Sequence, residues 1–235
     1  MTGVDEQSLP KEFRCLAIET SSAVSSIAAC AGGRVARAEY GSPGEQSRQV
    51  YSCVRDVLRD VSLELGDLDC IAFGAGPGGF TGLRVGASVA QSLAFGQGLR
   101  VCSISSLAVL AAGAMRRHGA PTIAACVDAR MGEAYLGVYR SDGGRLAAEL
   151  DDRLVDPANF ALPFNQGDSL FAVGGGWSAY PELLEANASL VSASETEAVP
   201  DAVELLILAA SEFAADRTVA PHEAVPNYVR NDVTS

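Results

Sequence analysis

The chain has 235 residues, of which 48% are hydrophobic and 20% are charged, and its formal net charge is -12. This composition predicts a folded protein of one domain or two small lobes, and the acidity excludes a protein drawn to a nucleic-acid backbone by its overall charge. No apolar run reaches the roughly 18 residues of a membrane span, and residues 1–13 lack a signal-peptide pattern, so we expect a cytoplasmic location and no membrane contact.

The first half of the chain alternates strand and helix patterns. Short apolar runs bounded by glycine and polar residues predict strands, and apolar residues at helical spacing predict helices. The predicted strands are residues 15–18, 24–30, 35–40, 70–73 and 101–103, and the predicted helices are residues 49–65, 82–95 and 106–117.

The second half repeats this order in part. Residues 123–127 form an apolar strand that ends at Asp128, residues 134–139 form its hairpin partner, and residues 170–173 run into three glycines and a short helix. The repeat predicts an α/β protein of two similar small lobes that arose by internal duplication. We expect a flexible extension at residues 1–13, an N-terminal lobe at 14–118, a C-terminal lobe at 119–220, which includes a final helix at 201–215, and a tail at 221–235.

A glycine-rich turn occupies residues 74–82, where five of nine residues are glycine. It matches GxGxxG, but a dinucleotide site needs an acidic residue about 20 positions further on, and there is none between Phe80 and Val127. The turn has no lysine and no GK[ST], which excludes a P-loop. The residues that define the turn are Gly74, Gly76, Pro77, Gly78 and Gly79, followed by Thr81 and Arg84.

The start of the following helix contains a positively charged residue, Arg84, whose position needs an explanation. Thr81 is the expected N-cap, because its hydroxyl can accept an unpaired backbone amide. Arg84 would then lie in the first turn, where a cation opposes the helix dipole by roughly 0.3–1 kcal/mol. Two explanations stay open: an anion or carboxylate that binds nearby, or an intramolecular ion pair with Glu19 or Asp69.

This helix carries no charge from Val85 to Gln97, and small residues recur every four positions. A surface helix of a soluble monomer normally shows a polar face. The helix is therefore either buried within the chain or packed on its own lobe on one side and on another subunit on the other, and we favour the second alternative. The candidate interface residues are Val50, Val54, Val57, Leu83, Gly86, Val89, Ala90 and Leu93.

The chain offers little for catalysis. His118 and His222 are its two histidines, and neither HxxxH, HExxH nor GxSxG occurs, so we expect no metal site and no catalytic residue. The six cysteines form no CxxC and are expected to be buried free thiols.

The polar residues that could face a cleft between the lobes are Glu19, Asp128, Arg130 and Glu133. Of these, Glu19 and Asp128, together with the glycines at 174–176, are the candidates for a kinase of small molecules, in which acidic residues hold Mg²⁺ and a glycine-rich turn holds phosphate. The alternative for Asp128, Arg130 and Glu133 is a salt-bridged turn, which we favour.

Four segments resemble the TsaB (YeaZ) family: 16–22 (LAIETSS), 71–86 (IAFGAGPGGFTGLRVG), 127–135 (VDARMGEAY) and 228–231 (YVRN). The resemblance implies the ASKHA fold of actin, sugar kinases and Hsp70, reduced to two small lobes. It also implies a non-catalytic subunit that supports TsaD, the subunit with the metal and the active site. With the ATPase TsaE, the complex transfers threonylcarbamoyl to the adenosine beside the anticodon of ANN-decoding tRNAs.

The same resemblance places the contact with TsaD on the helices that follow Glu45 and Thr81. It implies a homodimer when the chain is alone, tRNA contact through the complex, and no cofactor on this chain, with a nucleotide at the complex interface as an open alternative. The competing functions are a small-molecule ASKHA kinase, a glycoprotease-like hydrolase, and a homodimer unrelated to tRNA.

Overall fold

The computed structural model describes residues 9–41, 46–142 and 145–229, and the side chains of residues 46–48 lie outside this description. The chain divides into two compact units. The first comprises the described residues up to Ser106 together with Asp201–Pro226, and the second comprises Leu107–Pro200 and the described residues from Asn227 onward.

The first unit is built on a five-stranded sheet in the order β3-β2-β1-β4-β5. The β1–β2 and β2–β3 pairs are antiparallel, whereas β1–β4 and β4–β5 are parallel, as expected for strands joined by helical crossovers. The strands are β1 (Cys15–Glu19), β2 (Ser25–Ala31), β3 (Arg34–Tyr40), β4 (Cys70–Gly76) and β5 (Arg100–Ser105).

Three helices cover this sheet: α1 (Gln46–Val61), α2 (Phe80–Gln97) and α6 (Ala202–Ala214). Every residue of β1 is buried. Because successive side chains of a strand point to opposite faces of the sheet, β1 contributes to the hydrophobic core on each face. Leu16 and Ile18 belong to the core under α1 and α2. On the other face, which packs on α6, the Cys102 thiol of β5 lies 3.9 Å from the Ala209 carbonyl oxygen.

The second unit has its own five-stranded sheet, in the order β10-β9-β6-β7-β8. Here β6–β7 and β7–β8 are antiparallel, and β6–β9 and β9–β10 are parallel. The strands are β6 (Thr122–Arg130), β7 (Glu133–Asp142), β8 (Arg145–Val155), β9 (Leu170–Val173) and β10 (Val191–Glu195).

Both faces of the second sheet are also covered. Helix α3 (Ser106–His118) packs on one face through Leu107 and Leu110. The short helices α4 (Gly176–Ala179) and α5 (Pro181–Ala186) cover the other face, where Trp177 and Leu183 are fully buried.

Read from the outer antiparallel strand, both sheets have the same order: third, second, first, fourth and fifth strand of the unit. The expected fold class is confirmed to this extent: the chain is an α/β protein of two small lobes with the same strand order, as internal duplication predicts.

The borders of the units differ from the predicted ones. We assigned residues 201–220 to the C-terminal lobe, but α6 packs on β1, β2, β4 and β5 of the first unit. Helix α3, which we assigned to the N-terminal lobe, packs in the core of the second unit. The apolar pattern of a helix does not show which of two sheets it covers, so the sequence alone did not place α3 and α6.

Three further differences concern the edges of the fold. Leu9 and Phe13 of the predicted flexible extension are buried, and the Phe13 and Phe213 ring centroids are 5.6 Å apart. Strands β8 and β10 were not predicted, because edge strands with charged or small polar residues lack an apolar run. Residues 1–8 and 230–235, which complete the predicted extension and tail, lie outside the described ranges.

Two findings bear on the broad class of the protein. None of the helices in the described ranges combines the length and apolarity that a bilayer crossing requires. All six cysteines are free thiols, and five of them are buried, which confirms the sequence-based interpretation.

Candidate functional site

The glycine-rich turn between β4 and α2 packs directly against the turn between β1 and β2. The backbone amide of Gly79 donates a hydrogen bond to the Ser21 carbonyl oxygen at 2.7 Å. The Thr20 hydroxyl donates to the Gly82 carbonyl oxygen at 2.8 Å. The two turns are therefore held together by the chain's own backbone and by the Thr20 hydroxyl.

The glycines are needed for this close approach. A Cβ on Gly78 would lie 2.5 Å from the Ser21 carbonyl oxygen, and a Cβ on Gly86 would lie 2.5 Å from the Thr20 hydroxyl oxygen. A Cβ on Gly82 would overlap the Thr20 carbonyl oxygen. Gly82 and Gly86 of the small-residue stripe of α2 thus face the chain's own β1–β2 turn, which is the side of the helix that packs on its own lobe.

Glu19, at the end of β1, is fully buried in the same region. One carboxylate oxygen accepts from the Ser21 amide at 2.7 Å, and the other accepts from the Ser106 hydroxyl at 3.3 Å, which in turn accepts from the Gly76 amide at 3.2 Å. Burial raises the pKa of Glu19 against the lowering effect of these hydrogen bonds. Its carboxylate packs where Gly74 has no side chain, so Glu19 anchors the turn from inside the unit.

The start of α2 differs from the prediction. The helix begins at Phe80 with Gly79 as its N-cap, so Thr81 is the second helical residue rather than the cap. Arg84 is consequently the fifth helical residue, beyond the first turn, where opposition to the helix dipole is weaker. Its guanidinium carbon lies 3.6 Å from the centroid of the Phe80 ring, a cation–π contact. Asp69 and Glu19 were the two carboxylates considered as ion-pair partners of Arg84. Asp69 accepts a hydrogen bond from the Arg14 amide at 2.7 Å, and Glu19 accepts hydrogen bonds from Ser21 and Ser106.

Most of the predicted interface residues are core residues. Six of the eight are at most 4% exposed, Gly86 is also buried, and Leu93 is half-buried. The periodicity correctly identified the apolar faces of α1 and α2, but in this fold those faces meet the sheet. The six are Val50, Val54, Val57, Leu83, Val89 and Ala90.

The opposite faces of the two helices carry large apolar side chains instead. Tyr51 on α1 is 51% exposed, and Phe80 and Phe95 on α2 are 58% and 82% exposed. An open groove of about 390 Å³ lies between the helices. Its lining consists of Val50, Tyr51, Phe80, Thr81, Arg84, Val85, Ser88 and Val89.

These exposed aromatic residues are the part of the site that the sequence reading missed. Tyr51 lies on the polar face of α1, four residues before Arg55, and Phe80 stands at the edge of the glycine-rich turn. An aromatic residue on the polar side of a helical pattern is the signal that could have revealed them, because such a side chain has no place in the chain's own core.

The polar candidates of the second unit form a hairpin tip. Asp128 accepts hydrogen bonds from the Arg130 amide and the Tyr180 hydroxyl, each at 2.7 Å, and its other oxygen pairs with the Arg130 guanidinium at 3.0 Å. Arg130 stands opposite Glu133 in the β6–β7 register. The salt-bridged turn, which we favoured over a phosphate or Mg²⁺ site, is what these residues form.

His118 belongs to a small surface cluster in the second unit. Its ring stacks on Phe171 with centroids 4.3 Å apart, and its Nε2 lies 2.9 Å from a carboxylate oxygen of Glu195, which also binds Arg117 at 2.8 Å. Although burial raises it, the hydrogen bonds from Arg117 and His118 lower the pKa of Glu195 below its ordinary value. Within the described ranges, no group of three or more His, Cys, Asp or Glu residues is placed to hold a metal ion.

Comparison with known proteins gives a consistent set of relatives. The family model for TsaD, tRNA N6-adenosine threonylcarbamoyltransferase, matches residues 44–234. The chain is 35% identical to the tRNA threonylcarbamoyladenosine biosynthesis protein TsaB of Escherichia coli over 223 residues, 94% of this chain and 96% of that protein. Identity to the Bacillus subtilis protein of the same name is 30%, over 92% of this chain and 93% of that protein. The structure of YeaZ from Pseudomonas aeruginosa is similar with a TM-score of 0.85 and 34% identity, over 92% of this chain and 99% of that one.

Proposed function

The chain belongs to the TsaB family of tRNA threonylcarbamoyladenosine biosynthesis proteins, and from that premise we propose that it is a non-catalytic subunit that binds and supports TsaD. In this role it would assist the transfer of threonylcarbamoyl to the adenosine beside the anticodon of ANN-decoding tRNAs. TsaD would carry the metal and the reacting groups.

The observation that carries the proposal is the exposed face of α1 and α2. Tyr51 and Phe80 are large apolar side chains that line a groove and remain exposed, and Phe95 is exposed further along α2. Exposed aromatic residues grouped around a concave apolar surface are typical of protein–protein interfaces. TsaD is therefore proposed to dock on this face, on the same two helices that the family resemblance implies but through their outward side chains.

The non-catalytic part of the proposal is supported by the positions that a kinase of this fold would use. Glu19 is buried and satisfied by Ser21 and Ser106, so it is not presented to a ligand. Of the glycines proposed for phosphate, Gly174 and Gly176 pack against Cys126, and Asp128 is bound by Arg130 and Tyr180. Each of these groups has a structural role that competes with binding Mg²⁺ or phosphate.

The remaining partners follow from the same proposal. The isolated chain would form a homodimer through this face, TsaE would join the complex with TsaD, and tRNA would be reached through the complex. Local or partner-supplied contacts to tRNA agree with the net charge of -12, which disfavours binding of tRNA by this chain alone. The reaction would take place in the cytoplasm.

Binding to the TsaD of the same organism, measured by isothermal titration calorimetry, tests the proposal. The double variant Tyr51→Ala/Phe80→Ala removes two exposed aromatic residues of the groove, and we expect it to bind TsaD at least about 30-fold more weakly, as for hot-spot residues. The matched control is Met131→Ala, which truncates another exposed apolar side chain on the hairpin tip of the second unit and should leave the affinity unchanged. Absence of binding by the wild-type chain, or equal binding by the double variant, would contradict the proposal.

A further inference from the structure

Residues 219–226 form a strap that passes beside α2 in the first unit. At one end, Val219 and Val101 exchange two backbone hydrogen bonds, of 2.8 and 3.0 Å, on the outer edge of β5. Further along, Ala224 is fully buried in the core under α2, and its carbonyl oxygen accepts a hydrogen bond from the Gln91 side chain at 3.1 Å. The strap is therefore fixed to the first unit at two places, and its position beside α2 is defined.

The strap carries an exposed valine next to an exposed aromatic residue. Val225 directly follows the buried Ala224 and is 58% exposed. On α2, Phe95 lies four residues beyond Gln91 and is 82% exposed. Side chains four residues apart on a helix are neighbours, so Phe95 and Val225 both lie beside Gln91. Together they form an apolar pair that faces water.

This pair is continuous with the outward face of α2 that we propose as the docking face. At 100° per residue, Gln91 is about 120° around the helix from Val85, which lines the groove next to α1. Ser88 and Phe95 fall between these two directions, on the outward side. The strap and α1 therefore border α2 on opposite sides, and the outward face of α2 lies between them.

The usual size of a protein–protein interface indicates that one partner covers both parts of this surface. A standard interface takes about 800 Å² from each partner, which corresponds to a patch roughly 30 Å across. Phe95 is ten residues beyond Val85 and therefore about 15 Å further along α2. A partner centred on the groove at Val85 thus reaches Phe95 and the strap.

We propose that the strap is the third element of the docking face, and that Val225 and Phe95 form a second apolar contact for TsaD beside the groove. The inference rests on the proposed function, since it takes TsaD as the occupant. The matching surface of TsaD is apolar and extends about 15 Å beyond the side chains that fill the groove. Binding of TsaD then depends on the strap as well as on the two helices.

The affinity of the full chain for the TsaD of the same organism, measured by titration calorimetry, tests this proposal. Val225→Arg places a charge in the apolar contact, and we expect it to weaken binding at least about tenfold. Phe95→Ala removes the aromatic half of the contact and should have an effect of similar size. The matched control is Val199→Arg, the same substitution at a valine of the second unit that is 43% exposed, and it should stay within about twofold of the wild type.

A double-mutant cycle tests whether the two side chains act as one contact. Because Phe95 and Val225 would meet the same part of TsaD, the losses from Phe95→Ala and Val225→Ala should not be additive, and the double variant should bind at least about threefold more tightly than the product of the single effects predicts. Both side chains are largely exposed, so urea unfolding of each variant should match that of the wild type.

The possible outcomes separate this inference from the proposed function. If the wild type binds TsaD and Tyr51→Ala/Phe80→Ala does not, but Val225→Arg and Phe95→Ala bind like the wild type, then the groove docks TsaD and the inference is wrong. If Val225→Arg weakens self-association in sedimentation equilibrium and leaves the complex with TsaD unchanged, the strap serves a second copy of this chain and the inference is overturned. If the wild type fails to bind TsaD, the proposed function and the inference both fail.

Discussion

The two units share one strand order but use the helix after the fourth strand in opposite ways. In the first unit, the glycine-rich turn leads into α2, which has 18 residues and leaves Phe80 and Phe95 exposed. In the second unit, the corresponding glycines lead into α4, which has four residues and buries Trp177 to 1% exposure. The Trp177 indole donates to the Ala124 carbonyl oxygen at 3.0 Å and closes its core. The topology is the same in both units, and the side chains decide which helix leaves large apolar residues exposed.

The register of the strands sharpens this contrast. In the first unit Ile18 pairs with Phe73, so Glu19 stands beside Gly74. In the second unit Ala125 pairs with Val173, so Cys126 stands beside Gly174. Glu19 and Cys126 therefore each stand beside the glycine that follows the fourth strand's last paired residue, whereas the repeated order in the sequence suggests Asp128 as the counterpart of Glu19. The duplicated position holds a carboxylate that anchors a turn in one unit and a buried thiol in the other.

The largest expected effect on stability distinguishes the buried helix α4 from the partly exposed helix α2. Trp177→Ala should lower the free energy of unfolding by about 3–5 kcal/mol, because it removes a buried aromatic side chain and leaves a cavity. Phe80→Ala should lower it by less than about 1 kcal/mol, because the ring is largely exposed. Urea denaturation followed by circular dichroism measures both values. A similar loss for the two variants would show that Phe80 is a core residue and would remove the basis for the docking face.

An intermediate effect is expected within α2 itself. Gly82→Ala should lower the free energy of unfolding by at least about 2 kcal/mol, because the added Cβ would overlap the Thr20 carbonyl oxygen. Gly96→Ala lies in the same helix with open space around the added Cβ, and should raise the free energy of unfolding by roughly 0.5–1 kcal/mol. If the glycine stripe packs against the β1–β2 turn, denaturant titration of the two variants should give changes of opposite sign in the free energy of unfolding. Destabilisation of equal size at both positions would contradict that packing.

The smallest effect concerns the carboxylate that distinguishes the two units. Burial raises the pKa of Glu19 above its ordinary value of 4.5, so the folded state binds this proton more tightly than the unfolded state. The stability that comes from the protonated form is complete below pH 4.5 and is lost as the pH rises through the folded pKa. Glu19→Gln should therefore be more stable than the wild type at pH 7, with the difference shrinking toward pH 4.

The control for this pH dependence is Glu12→Gln, an exposed position in the same unit. When the free energy of unfolding is measured at a series of pH values, the difference between this control and the wild type should not increase with pH. If Glu19→Gln destabilises the protein at pH 7, then the hydrogen bonds from Ser21 and Ser106 outweigh the burial, and the direction of the pKa shift is wrong.

The sequence predicted the fold well because its strands are apolar runs bounded by glycine and polar residues, and because their order repeats. It did not predict that Tyr51, Phe80 and Phe95 are exposed on the outward face of α1 and α2. Helical periodicity locates the apolar side of α2, and the Gly82 and Gly86 stripe suits a close contact, but sequence alone does not show whether that contact is with β1 or with another subunit. The same limit applies to Glu19, whose partners Ser21 and Ser106 meet it only in the folded sheet, and to α6, which returns to the first unit after the second is complete.

The central claim is that this chain supports TsaD through the outward face of α1 and α2. Its most direct test is the rate of threonylcarbamoyl transfer to an ANN-decoding tRNA, measured with purified TsaD, TsaE and the threonylcarbamoyl-adenylate donor. We expect the rate to depend on the added wild-type chain and to fall strongly when Tyr51→Ala/Phe80→Ala replaces it at the same concentration. Full transfer in the absence of the chain, or undiminished transfer with the double variant, would contradict the claim.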